Sequence, residues 1–167
     1  MAKELKTNVM RILEQAKIPY KPWFYENKDG KIDGISVAAK LGEDVGHVFK
    51  TLVTRGADGE FYVFVVPVAM ELDLKAAAKS VGVKSVEMIH VNEINKVTGY
   101  IRGGCSPLGM KKQFRTVVDS RCEPLETIFV SGGRIGTQVE VNPRRLLKLI
   151  GGTTAGIACS APPQRTE

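Results

Sequence analysis

The stretch FYVFVVP, residues 61–67, constrains the fold of this chain more than any other. Successive side chains of a strand point to opposite faces, and this strand is apolar on both. The chain reaches it from VFKTLVTRG, residues 48–56, through a turn over residues 55–60, so the two strands are expected to pair as a hairpin. A strand apolar on both faces has to be covered on both. The expected fold is therefore α+β: a mixed, partly closed β-barrel surrounded by helices, with barrel interior on one side of the hairpin and helices on the other.

Lys50 interrupts the pattern. It shares a face with Val48 and Leu52, while Phe49, Thr51 and Val53 share the other, and neither face is an obvious seat for an ammonium. Its stem can lie along apolar surface with the head in water, which is the commoner arrangement. Alternatively it sits in a pocket and meets a ligand. The strand alone leaves both readings open.

Around the hairpin, the periodicity of Leu5, Val9, Ile12, Leu13 and Ala16 predicts an amphipathic helix over 3–17, ended by Pro19 and Pro22. A short aromatic strand follows at 23–25, then a loop over 27–34. Ser36 is expected to cap a short helix that stops at Gly42. Asp73 caps a helix closed by Gly82, residues 84–91 read as a strand, and Asn92 is a candidate cap for the helix EINKVTG. YIRGGCSPLG reads as a strand running into a tight loop. RTVVDS, ETIFVS and TQVEVN read as strands, with SGGRIG joining the last two. Pro143 stands in the first turn of a final helix, and residues 161–167 read as a loose tail.

At 167 residues, with 43% hydrophobic and 25% charged side chains, the chain has room for one sizeable core. No apolar run approaches the ~20 residues needed to span a bilayer. The N-terminal stretch lacks the apolar core of a signal peptide, so secretion is not expected and the cytoplasm is. Cys105, Cys122 and Cys159 are odd in number and form no CxxC pair, which argues against a disulfide framework or a zinc site. His47 and His90 are the only histidines, so a metal centre or a Ser-His-Asp triad has little to build on. The net charge of +6 is compatible with an RNA partner, and equally with a solvated basic face.

Two glycine-rich corners could bring backbone N–H groups close to a ligand: GGCSPLG at 103–109 and SGGRIG at 131–136. Neither has the spacing of a nucleotide-binding loop, and each also reads as an ordinary turn. Cys105 has no histidine near it in sequence to make it a nucleophile. Tyr20, Trp23, Phe24 and Tyr25 could stack a nucleobase, and core packing explains them as well.

Taken in order, VFKTLV, GYIRGGCSPLGMKK and ETIFVSGGRIG closely resemble the YbaK-type aminoacyl-tRNA deacylases, relatives of the editing domain inserted in bacterial prolyl-tRNA synthetases. The resemblance runs from LKTNVMRILEQAKIPY to PRRLLKLIG. It implies one editing domain over 1–160, a mixed β-barrel among helices, and removal of a wrong amino acid, chiefly cysteine, from the proline tRNA. It implies no metal and no cofactor. The implied partners are the aminoacyl-tRNA and, for choosing it, prolyl-tRNA synthetase. By matching position, Lys50 is the lysine required for activity, Gly103 the glycine whose backbone lines the pocket, and Ser131, followed by Gly132, the serine of the SGG loop. Tyr25 matches a tyrosine near the pocket mouth and Thr51 the threonine beside the lysine. This chain departs from the pattern at Asp33, where relatives often carry an aromatic, after a longer loop. Cys105 and Gln138 stand at variable positions and inherit no role.

The resemblance also supplies a mechanism that needs no protein base. Cysteine and proline are close in volume, and a hydrophobic pocket separates such ligands by only ~1–3 kcal/mol, so a second check is needed. The cysteinyl sulfur is expected to attack its own ester. Lys50 would position the acceptor end, and backbone amides around Gly103 and the Ser131 loop would stabilise the charge developing on the carbonyl. Two other functions fit the same residues: an alanyl-tRNA(Pro) deacylase that uses water, and a non-catalytic module that binds tRNA or a synthetase.

Overall fold

The computed structural model describes residues 6–160. In chain order the elements are α1 (Asn8–Gln15), β1 (Tyr20–Phe24), α2 (Gly34–Leu41), β2 (Phe49–Gly56), β3 (Phe61–Pro67), β4 (Met70–Leu72), α3 (Leu74–Val81), β5 (Val86–Met88), α4 (Ile94–Thr98), β6 (Arg115–Asp119), β7 (Ile128–Ser131), β8 (Thr137–Val141), α5 (Pro143–Ile150), β9 (Thr153–Ala155) and β10 (Ala158–Ser160). The tail expected at 161–167 lies outside the described residues. Among those residues, no helix is long and apolar enough to cross a membrane.

β2 and β3 form the expected antiparallel hairpin at the centre of a five-stranded sheet of order β5-β2-β3-β6-β9, in which β3 and β6 run parallel. Both faces of β3 are covered. Val63 and Val65 pack into the larger core with α1, β7, β8 and α5, while Tyr62, Phe64 and Val66 pack with α3. Val63, Phe64, Val65 and Val66 are fully buried, each contributing roughly 1.5–3 kcal/mol of burial. β1, β8 and β7 make a separate antiparallel sheet, and β10 pairs with β4. The described sheets do not close on one another. The first two meet where a parallel bridge joins Val48 to Phe129, and the Phe129 N–H donates to the His47 carbonyl at 2.9 Å.

Several boundaries differ from expectation for local reasons. α1 starts at Asn8 because Thr7 Oγ1 accepts from the Met10 N–H, and Lys17, in the left-handed region at φ 58°, turns the chain out before Pro19 is reached. β1 begins at Tyr20 and runs through Pro22, which is tolerated because β1 is an edge strand bonded only to β8. α2 is capped by Asp33, not Ser36: Asp33 Oδ2 accepts from the Ser36 N–H at 3.1 Å, and its Oδ1 from the Ser36 hydroxyl at 2.7 Å. Asn92 caps nothing; it lies in a short 3₁₀ turn, Val91–Glu93, that leads into α4. Residues 100–104 form no strand, because Tyr100 folds back to donate its hydroxyl to the Leu108 carbonyl at 2.7 Å.

Asp119 holds the C-terminal segment. Fully buried at the end of β6, it accepts from the Ile157 and Ala158 N–H groups, both at 2.9 Å through Oδ1, and from Arg121 through Oδ2. This carboxylate positions β10, whose three residues carry little strand signal of their own.

Candidate active site

The seam between the two larger sheets opens into a cavity of about 120 Å³, many times the ~10–15 Å³ that one water needs. β2 contributes Phe49, Lys50 and Thr51, with Val48 just before it and Val68 just after β3. Ile32, Gly34 and Val37 come from the loop before α2 and from α2 itself. Gly103 and Cys105 come from the first glycine corner, and Tyr25, Ser131 and Gln138 from the ends of the smaller sheet. Five of the six residues expected at the site therefore meet in one place: Tyr25, Lys50, Thr51, Gly103 and Ser131. Gly132 is not among the lining residues; its N–H donates to the Thr137 carbonyl at 2.8 Å and closes the β7–β8 hairpin.

Lys50 is half-buried, opposite Val66 in the hairpin, and its ammonium has no ion-pair or hydrogen-bond partner among the described residues. It is not alone. The Tyr25 hydroxyl, Thr51 Oγ1 and Gln138 Oε1 are buried with no protein partner, and all three residues line the cavity. A buried polar atom left unpaired costs roughly 1–3 kcal/mol, so such a cluster calls for a polar partner, water or ligand, within the cavity.

The glycine corners build the opposite wall. Gly103 has φ +88°, and a Cβ there would come within 2.7 Å of Ile32 Cδ1, so this position requires glycine. A Cβ on Gly104 would lie 3.0 Å from the Arg134 Cα, so the first corner rests directly on the second. Not every amide in these corners is available. Gly132 is spent on Thr137, and the Gly133 N–H donates to Ser131 Oγ at 3.2 Å. The Gly104 N–H likewise donates to the Ile101 carbonyl at 3.0 Å, so three of the corner amides are spent, while the Gly103 N–H and the Ser131 hydroxyl hydrogen stay available.

The lining includes no histidine, aspartate or glutamate. Burial pushes the Cys105 thiol up to about 11, opposed by a hydrogen bond with Thr98, so it stays protonated at neutral pH. His47 is exposed and outside the lining. Among the described residues no cluster of His, Cys, Asp or Glu could hold a metal. The aromatic group splits: Tyr25 lines the cavity, Trp23 packs on Phe129 with ring centroids 5.6 Å apart, Tyr20 bonds Glu14, and Phe24 stays exposed. Gln138 was not among the expected site residues. A glutamine in a strand carries no signal of its own; Gln138 reaches the cavity because it pairs with Ser131 across β7 and β8.

The model of the aminoacyl-tRNA editing domain matches residues 33–149. The chain belongs to that family. A protein of Enterococcus faecalis (strain ATCC 700802 / V583), named provisionally as the Cys-tRNA(Pro)/Cys-tRNA(Cys) deacylase EbsC, is 46% identical over 152 residues, covering 91% of this chain and 93% of its own. Two crystal structures share the fold. A hypothetical protein aligns with TM-score 0.82 at 24% identity over 90% of this chain and 99% of its own. A protein described provisionally as a trans-editing enzyme for prolyl-tRNA synthetase aligns with TM-score 0.76 at 23% identity over 92% and 99%. The match with this editing fold makes the chain α+β of the YbaK-like kind.

Proposed function

We propose that this editing domain removes cysteine from mischarged tRNA(Pro), with the aminoacyl ester bound in the Lys50 cavity. The observation that carries the reading is the coincidence of an unpaired lysine ammonium with three unpaired buried polar atoms in a cavity lined by no histidine, aspartate or glutamate. A substrate bringing its own nucleophile needs none. The cysteinyl sulfur attacks the ester carbonyl, an S–C bond forms, the C–O bond to the ribose breaks, and the thiol proton ends on the departing ribose oxygen. The product is a cyclic thioester that water later opens, so the enzyme's own step is lyase-like.

Lys50 holds the terminal phosphate or the ester region, and its charge favours the thiolate. The Gly103 N–H and the Ser131 hydroxyl meet the carbonyl oxygen as it gains charge. Tyr25, Thr51 and Gln138 bind the polar parts of the aminoacyl group. Keeping thiol and ester together removes much of the entropic barrier. On this reading the chain is a single editing domain over 1–160, and its sheets act as a partly closed barrel with the seam as its mouth. The chain would work in the cytoplasm beside prolyl-tRNA synthetase, which would select the tRNA.

Single-turnover deacylation with cysteinyl-, seryl- and alanyl-tRNA(Pro) tests this. Cysteine should leave far faster than serine. Equal rates would rule out substrate sulfur as the nucleophile, a preference for alanine would point to attack by water, and binding without turnover would leave a non-catalytic module.

A further inference from the structure

The loop ahead of α2 is built around one side chain. Lys40, in the last turn of α2, donates to the Glu26 carbonyl at 2.7 Å, to Asp29 Oδ1 at 2.8 Å and to the Lys31 carbonyl at 3.0 Å. An ammonium has three donors, and all three are used on this loop. The same Nζ lies 5.9 Å from the centroid of the Tyr25 ring. Asp29 is itself fixed by accepting from the Lys31 N–H at 3.0 Å, and the Gly30 N–H closes a turn on the Asn27 carbonyl. The bonds from Lys40 and Lys31 hold the Asp29 carboxyl below the usual carboxylate range, so it stays ionised toward acid pH.

Both flanks of this loop reach the cavity. Tyr25 enters it on one side; on the other, Ile32 lines it and packs over Gly103. We propose that Lys40 is a positioning residue: by tying residues 26–31 to α2 it sets Tyr25 and Ile32 as the wall against which the aminoacyl group is held. This rests on the deacylase reading for its kinetic consequence and on the geometry alone for its effect on the loop. The consequence belongs to binding and not to the chemical step, because Lys40 itself does not line the cavity.

The test uses the full chain with Lys40→Met and Lys40→Arg. Trypsin cleavage after Lys28 and Lys31, followed by mass spectrometry, should accelerate roughly tenfold or more in Lys40→Met as the loop opens. KM for cysteinyl-tRNA should rise about tenfold while kcat stays within about twofold. Lys40→Arg, still able to donate to carbonyls and carboxylate, should recover most of both. Asp29→Asn, at an exposed position, gives a smaller change in the same direction and covers the case in which Lys40→Met fails to fold. Unchanged cleavage, or a fall in kcat at constant KM, overturns the proposal. Should the wild-type chain deacylate nothing, the deacylase reading fails, while the cleavage rates still decide whether Lys40 holds the loop.

Discussion

The two ends of β2 carry one cation each and treat it oppositely. At the far end Arg55 has protein partners: it pairs with Glu93 at 3.2 Å and lies over the Phe61 ring at 5.1 Å, and Phe61 in turn meets Phe114 edge-on at 5.6 Å. At the cavity end Lys50 has no partner among the described residues, and three polar atoms of its neighbours are equally unsatisfied. One strand thus ends in a paired structural corner and in a corner whose polar atoms have no protein partner, which is what supports the proposed site. Natural sequences break the rule of satisfied polar groups mainly where function requires it. The difference between the ends therefore supports the proposed site better than either cation does alone.

The sharpest way to break this comparison is to remove each cation. Lys50→Ala should lower single-turnover deacylation by about 10²–10³-fold, the scale of losing one charge-stabilising donor, with an unchanged melting temperature. Arg55→Ala should do the reverse: activity within about twofold, and a stability loss of under ~1 kcal/mol for a partly exposed pair. Equal effects on activity would erase the distinction between the two ends.

Asp119 extends the contrast to a buried charge that is satisfied. Asp119→Ala strands the buried Ile157 N–H and the part-buried Ala158 N–H, at roughly 1–3 kcal/mol for a buried donor, so a loss of about 3 kcal/mol is expected, read as a fall of about 10 °C in melting temperature. Asp119→Asn, which keeps an acceptor, should cost less. Activity per folded molecule should hold in both. A drop in activity without a drop in stability would mean that satisfied and unsatisfied charges are not separable here.

Much of this was legible in the sequence, and the failures have a common cause. The hairpin, its doubly covered faces, and the caps at Asp73, Gly42 and Gly82 follow from local chemistry. The family resemblance named Tyr25, Lys50, Thr51, Gly103 and Ser131, and all five line one cavity. What stayed hidden depends on distant partners. β4, β9 and β10 are three residues each and exist because β6 and the Asp119 side chain hold them. Gln138 enters the site only because β8 begins opposite Ser131. Lys40 reads as an ordinary charge near a helix end until the loop it binds is folded against it.

The cavity wall offers a smaller test. Gly103→Ala places a Cβ 2.7 Å from Ile32 Cδ1 and keeps a φ of +88° that alanine resists, a strain of about 1–2 kcal/mol. Deacylation should fall about tenfold. Adding Ile32→Ala relieves the contact but not the backbone, so it should restore part of the rate and little of the stability. Full recovery of both would mean that the glycine serves only to clear Ile32.

Within the cavity itself Lys50 and Cys105 form the last contrast, one unspent and one silenced. The raised Cys105 value means that the folded state favours the neutral thiol, and the buried Cys122 thiol is likewise pushed up to about 11. A group whose folded value lies above its unfolded one contributes stability in full below the unfolded value of about 9 and loses it as the pH rises through the folded one. Stability should therefore decline between about pH 9 and pH 11, and less so in Cys105→Ala. Alkylation of Cys105 by iodoacetamide should keep accelerating toward pH 11, because only the thiolate reacts. A rate that levels off near pH 9 would show an ordinary thiol, and Cys105 would then have to be weighed beside the substrate sulfur as a nucleophile in this site.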